Sequence, residues 1–449
     1  NRLPRVDFER NEKAYTPELV NRFFDVVSLQ KSASSLLLSF LEIALQTIIG
    51  MVVLGFYHPY LLAYDVALLV GLLFVVFVLG RGALETSFHE STTKYAMAAW
   101  LEDLARHPMS FKSRRGMDLA AERANRLAND YLEAREHHWR VVLRQIIGFV
   151  AIQAFASAAL LGIGGYLVIQ GELTLGQLVA AELIVTTVTT SVAKFGKYFE
   201  TYYDAVTSVY KIGNLLDLPL EPYEGELPES REGALKVEFD KVCLSHGSGV
   251  VKSLSMTIEP STRVGLRGEG AARSVLIDSL FGLFQPSSGA IMLDGTPIKE
   301  LSSPMMRDDI SLVRTVDVFD GTIDENLRLG QELLDPNDVR DALERVDLLE
   351  EFERLEHGIA TRLMAHGAPL SQDQLIRLMI ARAILGKPRL VLIDGALDGV
   401  RPDRLDKVVD ALCGSNGWTS IVASNRPEVL AKCDRVFELT QDGLTEVKP

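Results

Sequence analysis

The stretch Thr262–Leu283, TRVGLRGEGAARSVLIDSLFGL, decides the fold of the second half of the chain. It begins as an apolar strand, turns at glycines and continues as a helix, an arrangement in which backbone N–H groups and a helix N-terminus bind phosphate. The usual motif is GxxxxGK[ST], whose Lys contacts the β/γ-phosphates and whose hydroxyl holds Mg²⁺. Here Arg273 stands in the Lys position, Ala272 replaces the preceding Gly, and the turn is one residue short. The stretch therefore predicts a phosphate-loop fold with a weakened or vestigial nucleotide site. Its candidate nucleotide-binding residues are Gly268, Gly270, Arg273, Ser274 and Val275.

Strand and helix patterns alternate around this stretch and predict an α/β domain. Arg389–Ile393 is a continuous apolar run, typical of a strand that is buried on both faces, and it ends in Asp394. Gln372–Leu385 and Asp335–Leu349 are predicted helices. A largely parallel sheet follows, with the ligand at the C-terminal ends of its strands. The other predicted strands are Leu235–Leu244, Leu254–Ile258, Arg263–Arg267, Ala290–Leu293, Ile310–Arg314, Thr419–Ser424 and Arg435–Leu439.

The first half of the chain has the pattern of an all-α membrane domain. Three of its apolar runs reach the ~20 residues that cross a bilayer, and the fourth is weaker; burial in a soluble core is the alternative. Lys and Arg are concentrated between the second and third runs, so the positive-inside rule places that segment in the cytoplasm and the two short turns outside. The sequence predicts four crossings. The runs are Leu36–Tyr57, Leu61–Gly80, Ile146–Ile169 and Leu173–Val192.

The basic segment 81–144 has helical periodicity and predicts a cytoplasmic stalk. Its break, Arg106–Gly116, is expected to form a small helix at the tip that contacts another domain; the alternative is a plain amphipathic hairpin. Phe199–Leu216 is a further helix, and Asp217–Glu232, rich in Pro, Gly and acid, is the clearest boundary. The predicted domains are residues 1–216 (membrane), 217–234 (linker) and 235–449 (nucleotide-binding type).

Charge and cysteine usage exclude some classes of function. The net charge of −14 argues against nucleic acid as a partner. Three scattered cysteines show no metal-binding spacing and favour a reducing compartment without a disulfide framework. Because the chain begins at Asn1 without a signal-peptide pattern, we expect it to be the later part of a longer protein.

Several motifs in a fixed order give the chain a specific resemblance. GELTLGQLVAAE, QPSSGAIMLDG, DGTIDENLRLG and IARAILGKPRLVLID occur in the order and spacing of ATP-binding-cassette (ABC) half-transporters of the exporter type, which the chain resembles throughout. The resemblance implies a multidomain fold: the last four of six membrane helices, with two N-terminal helices missing from the sequence given, then an ABC ATPase-like P-loop domain. It also implies a multi-pass protein surrounded by lipid, in a bacterial inner membrane, with its cassette in the cytoplasm.

The same resemblance assigns roles around the nucleotide, and most of the chemical positions are substituted. The adenine-stacking aromatic falls on His246, and the glutamine that couples metal and water falls on Arg314, or on Thr315 if counted from the strand. Arg cannot accept a hydrogen bond or ligate a metal. The catalytic Glu is replaced by Gly395, and the γ-phosphate-sensing His by Asn425.

Two further motifs are kept in part. The signature loop reads Leu370-Ser371-Gln372-Asp373-Gln374, with Ser371 and Gln374 retained as nucleotide-binding candidates. Asp373 places a negative charge where a partner's γ-phosphate should dock. Ser274 and Asp394 remain as metal ligands if a Mg-nucleotide binds at all. No catalytic residue remains, so we expect ATP and Mg²⁺ to be bound weakly or not at all.

In this family two cassettes pair head to tail, so the implied partner is a second half-transporter, either an identical chain or a more intact one. The leading hypothesis is a dimeric transport subunit for export with a pseudo-ATPase cassette. One alternative is an active but atypical ATP-driven exporter that uses Arg273, Ser274 and Asp394. Another is a membrane scaffold or regulator that does not transport.

Three acidic residues, Glu42, Asp65 and Glu182, lie within the apolar runs. Ionisable groups in a membrane usually face the bundle interior or a water path. They therefore line a translocation path or bind a cationic group; alternatively, they lie near helix ends and reach the interface.

Overall fold

The computed structural model describes residues 2–7, 9–10, 23–193, 195–222, 225, 233–331, 334–413, 417–440 and 443–447. These residues form two compact units: one is helical, residues 12–218, and the other is α/β and combines residues 1–11 with 219–449. Half of the predicted linker 217–234 lies outside the described residues.

The helical unit is built from long helices joined by short turns. Its elements are α1 (Phe24–Tyr57), α2 (Pro59–Phe74, continued by a π-helical turn Val75–Leu79), α3 (Ala83–Arg106), a 3₁₀ turn (Pro108–Phe111), α4 (Arg114–Ile169), α5 (Leu175–Ala193) and α6 (Phe195–Leu216). The small helix predicted at the stalk tip is the 3₁₀ turn. The basic segment is helical on both sides of it.

Three helices of the described part are long and apolar enough to cross a membrane: Asp25–Tyr57, Pro59–Leu79 and Arg114–Ile169. The fourth predicted run forms α5, whose apolar part, Leu175–Thr187, is shorter. The outer faces of α1 and α2 carry exposed Leu, Val and Phe side chains, as expected of surfaces that contact lipid rather than water. The interior cluster of this unit contains Leu54, Leu61, Leu68, Ala156, Leu160, Leu167, Leu173, Ala181 and Val185.

The α/β unit contains the remaining strands and helices. The strands are β1 (Val237–His246), β2 (Gly249–Ile258), β3 (Arg263–Gly268), β4 (Ser288–Leu293), β5 (Thr296–Pro297), β6 (Ile310–Val313), β7 (Gly321–Thr322), β8 (Arg362–Leu363), β9 (Leu390–Asp394), β10 (Thr419–Ala423), β11 (Arg435–Thr440) and β12 (Gly443–Val447). The helices are α7 (Gly270–Leu280), α8 (Ser303–Asp309), α9 (Ile323–Arg328), α10 (Pro336–Arg345), α11 (Leu349–Glu353), α12 (Gln372–Leu385), α13 (Pro402–Cys413) and α14 (Pro427–Leu430).

The main sheet has the order β12-β11-β3-β10-β9-β6. The pairs β11–β3, β3–β10, β10–β9 and β9–β6 are parallel, and β12 is antiparallel to β11. A second, antiparallel sheet has the order β2-β1-β4-β5. The continuous apolar run of β9 is completely buried at Leu390, Val391, Leu392 and Ile393, since it lies between two neighbouring strands and helices cover both faces. The predicted parallel sheet is therefore confirmed.

Two details differ from the predictions. The predicted helix Asp335–Leu349 ends at Arg345, as α10, and α11 begins only at Leu349, because the chain turns at Asp347 with a positive φ of 59°. The N-terminal segment, assigned to the membrane domain, packs on the α/β unit instead. Val6 forms a β-bridge with Leu220, and the Glu221 N–H donates to the Arg5 carbonyl at 2.8 Å.

Candidate functional site

Four neighbouring parallel strands bring the predicted site residues together at one edge of the sheet. The phosphate loop follows β3, Arg314 follows β6, Asp394 ends β9 and Asn425 comes two residues after β10. Because parallel strands end at the same edge, residues far apart in sequence meet there. This edge is the candidate functional site.

The centre of the site is an arginine bound to two carboxylates. Arg314 Nε donates to Asp394 Oδ2 at 2.7 Å, and Arg314 Nη2 lies 2.7 Å from Asp278 Oδ1. The Ser274 hydroxyl donates to the same Asp394 Oδ2 at 2.8 Å. Burial raises the pKa of Asp278, while its ion pair with Arg314 acts in the opposite direction. The two predicted metal ligands, Ser274 and Asp394, are thus in contact, and a guanidinium already neutralises the carboxylate.

The arginine in the Lys position of the loop points into the domain. Arg273 is 8% exposed, and its Nη1 donates to Asn425 Oδ1 at 3.1 Å. The predicted γ-phosphate sensor position and the predicted phosphate-binding cation therefore bind each other. An amide can accept this hydrogen bond from the guanidinium, whereas a protonated histidine could not.

The rest of the phosphate loop has a structural role in this chain. Gly268 has a φ of 121°, and a Cβ at this position would lie 2.1 Å from the Leu439 carbonyl oxygen, so close packing against β11 requires glycine. Val275 is buried in the apolar core and offers no polar group to a ligand. Helix α7 begins at Gly270 with Glu269 as its N-cap residue, which places an acidic residue at the end where phosphate is expected to bind.

The expected adenine-stacking residue is covered by a neighbouring ring. The His246 imidazole stacks on the Phe284 ring with 3.7 Å between centroids and 24° between planes. One face of the imidazole is thus occupied by the protein itself.

No carboxylate follows Asp394 at the position where the family's general base stands. Gly395 has a φ of 71°, and its N–H donates to the Ala423 carbonyl at 2.9 Å, so this position contributes a turn. The next acid, Asp398, accepts a hydrogen bond from the Ser424 hydroxyl at 2.8 Å.

The signature residues cap a helix and hold a buried ion cluster. Ser371 and Gln374 form a capping box at the start of α12. Asp373 does not present a free charge, which corrects the sequence interpretation. Its Oδ2 accepts from Arg377 Nη2 at 2.6 Å, and its Oδ1 accepts from the Arg401 N–H at 2.9 Å. The side chain turns inward because the guanidinium of Arg377, 2% exposed, needs a charged partner.

Sequence reasoning missed two residues of these networks, Asp278 and Arg377. Asp278 lies four residues after Ser274 and therefore on the same face of α7. An acid within the apolar stretch VLIDSLF was the available signal. Arg377 lies four residues after Asp373, the spacing of a helical ion pair, within the apolar stretch LIRLMIA of that helix.

Comparisons with known proteins agree with this fold. Residues 251–398 match the ABC transporter family. A solved bacterial Atm1-family ABC exporter with ATP bound superposes with a TM-score of 0.84 at 21% identity, covering 97% of this chain and 79% of that one. The chain thus has the fold of an ABC exporter, a helical membrane region followed by an ABC transporter domain.

Curated relatives include transporters of different named functions. The mycobactin import ATP-binding/permease protein IrtB of Mycolicibacterium thermoresistibile is 27% identical, over 79% of this chain and 61% of that protein. A fatty acid ABC transporter ATP-binding/permease protein of Mycobacterium tuberculosis is 25% identical, over 89% of this chain and 64% of the relative. The ATP-dependent lipid A-core flippase of Hahella chejuensis is 27% identical, over 62% and 49% respectively. The chain therefore spans less than two thirds of the length of each of these relatives.

The side chains beside Asp394 do not fit the magnesium ion that such a domain implies. Magnesium demands near-octahedral oxygen ligands at about 2.1 Å, but Asp394 Oδ2 already accepts hydrogen bonds from both Ser274 and Arg314. A guanidinium donates hydrogen bonds and cannot coordinate a cation. The cation position beside Asp394 is thus filled by a side chain of the protein.

Proposed function

We propose that this chain is one half of a dimeric ABC-type membrane transporter whose cassette does not hydrolyse ATP. The partner is a second half-transporter, and the dimer resides in a bacterial inner membrane. The observation that carries the proposal is the Asp278–Arg314–Asp394 cluster, which puts a permanent positive charge where hydrolysis needs a metal ion and polarised water.

Two further positions support the proposal. Gly395 supplies no general base, and loss of general-base assistance alone costs typically ~10²–10⁴-fold in rate. Asn425 is held by Arg273, so neither residue is free to follow charge on a γ-phosphate. Nucleotide binding at this cassette is weak or absent.

The active but atypical exporter remains the competing hypothesis, and ATP turnover distinguishes the two. Phosphate release by the purified full-length protein in lipid is measured beside its Asp394→Asn variant, which reports contaminating ATPases. We expect equal, negligible rates. A rate above about 1 s⁻¹, the low end of typical enzymes, that is lost in the variant would overturn the proposal.

A further inference from the structure

A buried carboxylate inside the membrane unit has no partner among the described residues. Asp65, on α2, is 1% exposed, and neither of its carboxyl oxygens has a hydrogen-bond partner. This excludes the interpretation that Asp65 reaches the membrane interface. Its helical neighbours Leu61 and Leu68, one turn away on either side, belong to the apolar interior cluster.

A second acid borders the same interior cluster from another helix. Glu182, on α5, has one buried carboxyl oxygen without a partner, and its other oxygen accepts a long 3.4 Å hydrogen bond from the Thr186 hydroxyl. Glu182 adjoins Ala181 and lies three residues before Val185, and both belong to the interior cluster that contains Leu61 and Leu68. Next to Asp65 along the chain is the hydroxyl of Tyr64. That hydroxyl donates to the Ala156 carbonyl at 3.0 Å, so it is not available to solvate either carboxylate.

An ionised, unpaired carboxylate in this environment is the least stable arrangement. Transferring an isolated charge from water to an apolar interior is so costly that the group takes up a proton instead. Asp65 therefore carries a proton while the helices are packed as they are here.

The carboxyl group of Asp65 contributes no hydrogen bond to the fold. A buried polar group without a hydrogen bond destabilises a protein by roughly 1–3 kcal/mol, whereas a structural acid normally donates its O–H to a neighbouring acceptor. The absence of any such acceptor within the described residues points to chemistry rather than packing. Ionisable groups buried in membrane helices typically serve transport paths.

We propose that Asp65, with Glu182 at the same interior cluster, is an exchangeable proton-binding site within the membrane domain. When the helices separate enough to admit water, the O–H bond of the Asp65 carboxylic acid breaks, its electron pair stays on the carboxylate oxygen, and the proton passes to water. Repacking requires the reverse step. This inference concerns the membrane unit and does not depend on the state of the cassette.

The position of the site gives it a short route to water. Asp65 lies seven residues after His58, or about 10 Å along the helix axis. At that end His58 Nε2 and Glu172 Oε2 are 3.0 Å apart, joining the two short turns. The titratable groups that face the site are therefore Tyr64 on its own helix, Glu182 on α5, and this His58–Glu172 pair at the nearer helix end.

Infrared spectroscopy of the full chain in lipid tests the proposal. At neutral pH we expect a carbonyl band of a protonated carboxylic acid that is absent in Asp65→Asn, and that disappears reversibly when the medium is made moderately alkaline. Glu182→Gln should change the pH at which the band disappears. Glu136→Gln, at an exposed acid of α4 outside the apolar runs, should leave the protonated-acid band in place.

A second measurement needs no variant. Dicyclohexylcarbodiimide, an apolar reagent for protonated carboxyl groups, should modify the peptide that contains Asp65 at neutral pH and much less in alkaline medium. The proposal is overturned if Asp65→Asn removes only carboxylate bands, since Asp65 would then be ionised. It is equally overturned if the protonated-acid band is unaffected by pH, since the proton would then not exchange.

Discussion

Arg314 and Asp394 form an ion pair at the ends of two adjacent parallel strands, with 2.7 Å between Arg314 Nε and Asp394 Oδ2. The carboxylate that ends β9 therefore faces a guanidinium that follows β6. Asp278, on the helix after the phosphate loop, completes the cluster. In this cluster the guanidinium of Arg314 neutralises the carboxylate at the position where a metal ion was expected. The first prediction follows from this arrangement.

Removing the guanidinium of Arg314 should make the stability of the cassette depend on the magnesium concentration. Arg314→Gln leaves Asp278 and Asp394 as neighbouring unpaired acids, so we expect the free energy of unfolding to fall by roughly 1–3 kcal/mol. Millimolar Mg²⁺ should restore part of it, because a ligand that binds only the folded state stabilises that state. Thermal unfolding with and without Mg²⁺ measures both effects.

The control for this prediction is Arg354→Gln, which removes an exposed ion pair with Glu350 and should change stability by less than about 0.5 kcal/mol. An equal Mg²⁺ response in the unmodified chain would contradict the assignment of Arg314 as the resident cation.

Changing Asp373 toward the family's signature glycine should destabilise the domain rather than improve it. Asp373→Gly removes the carboxylate that accepts from Arg377 at 2.6 Å and leaves Glu351 as the remaining acid on that guanidinium. We expect a loss of roughly 1–3 kcal/mol for the broken contact, and about 1 kcal/mol for glycine in a helix.

The Gln372→Gly variant measures the cost of glycine without loss of the ion pair. Gln372 is exposed and is the residue before Asp373 at the start of the same helix. Denaturant unfolding of both variants gives the difference. Equal losses would mean that the Asp373 ion pair contributes nothing measurable.

The three cysteines should differ sharply in reactivity. Hydrogen bonds from Ser288 and from the Ser253 backbone lower the pKa of the partly exposed Cys243 thiol. Burial raises the pKa of Cys413 to about 11 and that of Cys433 to about 12. Since the thiolate is the nucleophile, maleimide should modify one thiol in the folded chain and three in denaturant. Mass spectrometry of labelled peptides identifies the thiol, and Cys243→Ser should abolish the fast reaction; rapid modification of Cys413 would contradict the buried environment.

Acid should weaken the contact between β3 and the start of β11. The Arg263 side chain donates from Nε to Asp434 Oδ2 at 3.0 Å, and this hydrogen bonding holds the pKa of Asp434 below its ordinary value. Between the lowered pKa of Asp434 in the folded chain and its ordinary pKa, the folded chain therefore binds fewer protons than the unfolded chain. The resulting stability is present above the ordinary pKa of about 4 and is lost as the pH falls through the lower folded value.

Unfolding measured across this acidic range should show a smaller pH dependence for Asp434→Asn than for the unmodified chain. Arg263→Gln should produce the same flattening, and the double variant should add little, because both changes remove one interaction. Identical pH profiles for all chains would show that the pair has no net effect.

Much of the fold could be predicted from local pattern. The apolar run that ends in Asp394 predicts a buried parallel strand, since a strand covered on both faces by helices is apolar at successive positions. The helix of the phosphate loop and the helix Gln372–Leu385 were also identified, because periodicity and capping are properties of neighbouring residues. The turn at Asp347 that follows α10 and the packing of the N-terminal segment could not be predicted in this way, because both depend on contacts between distant parts of the chain.

The sequence by itself determined which chemical groups the site has: a serine and an aspartate kept, and an arginine, a glycine and an asparagine where the family carries other residues. Only the tertiary structure decided what these groups do. Arg314 and Asp394 are 80 positions apart, and no local pattern predicts that they bind each other with Asp278. The same holds for Asp373, which turns toward a buried arginine, and for Asp65, whose carboxyl group is enclosed by three-dimensional packing. Residue identity fixes charge and hydrogen-bonding capacity, whereas the partner that satisfies them is fixed by which strands and helices lie side by side.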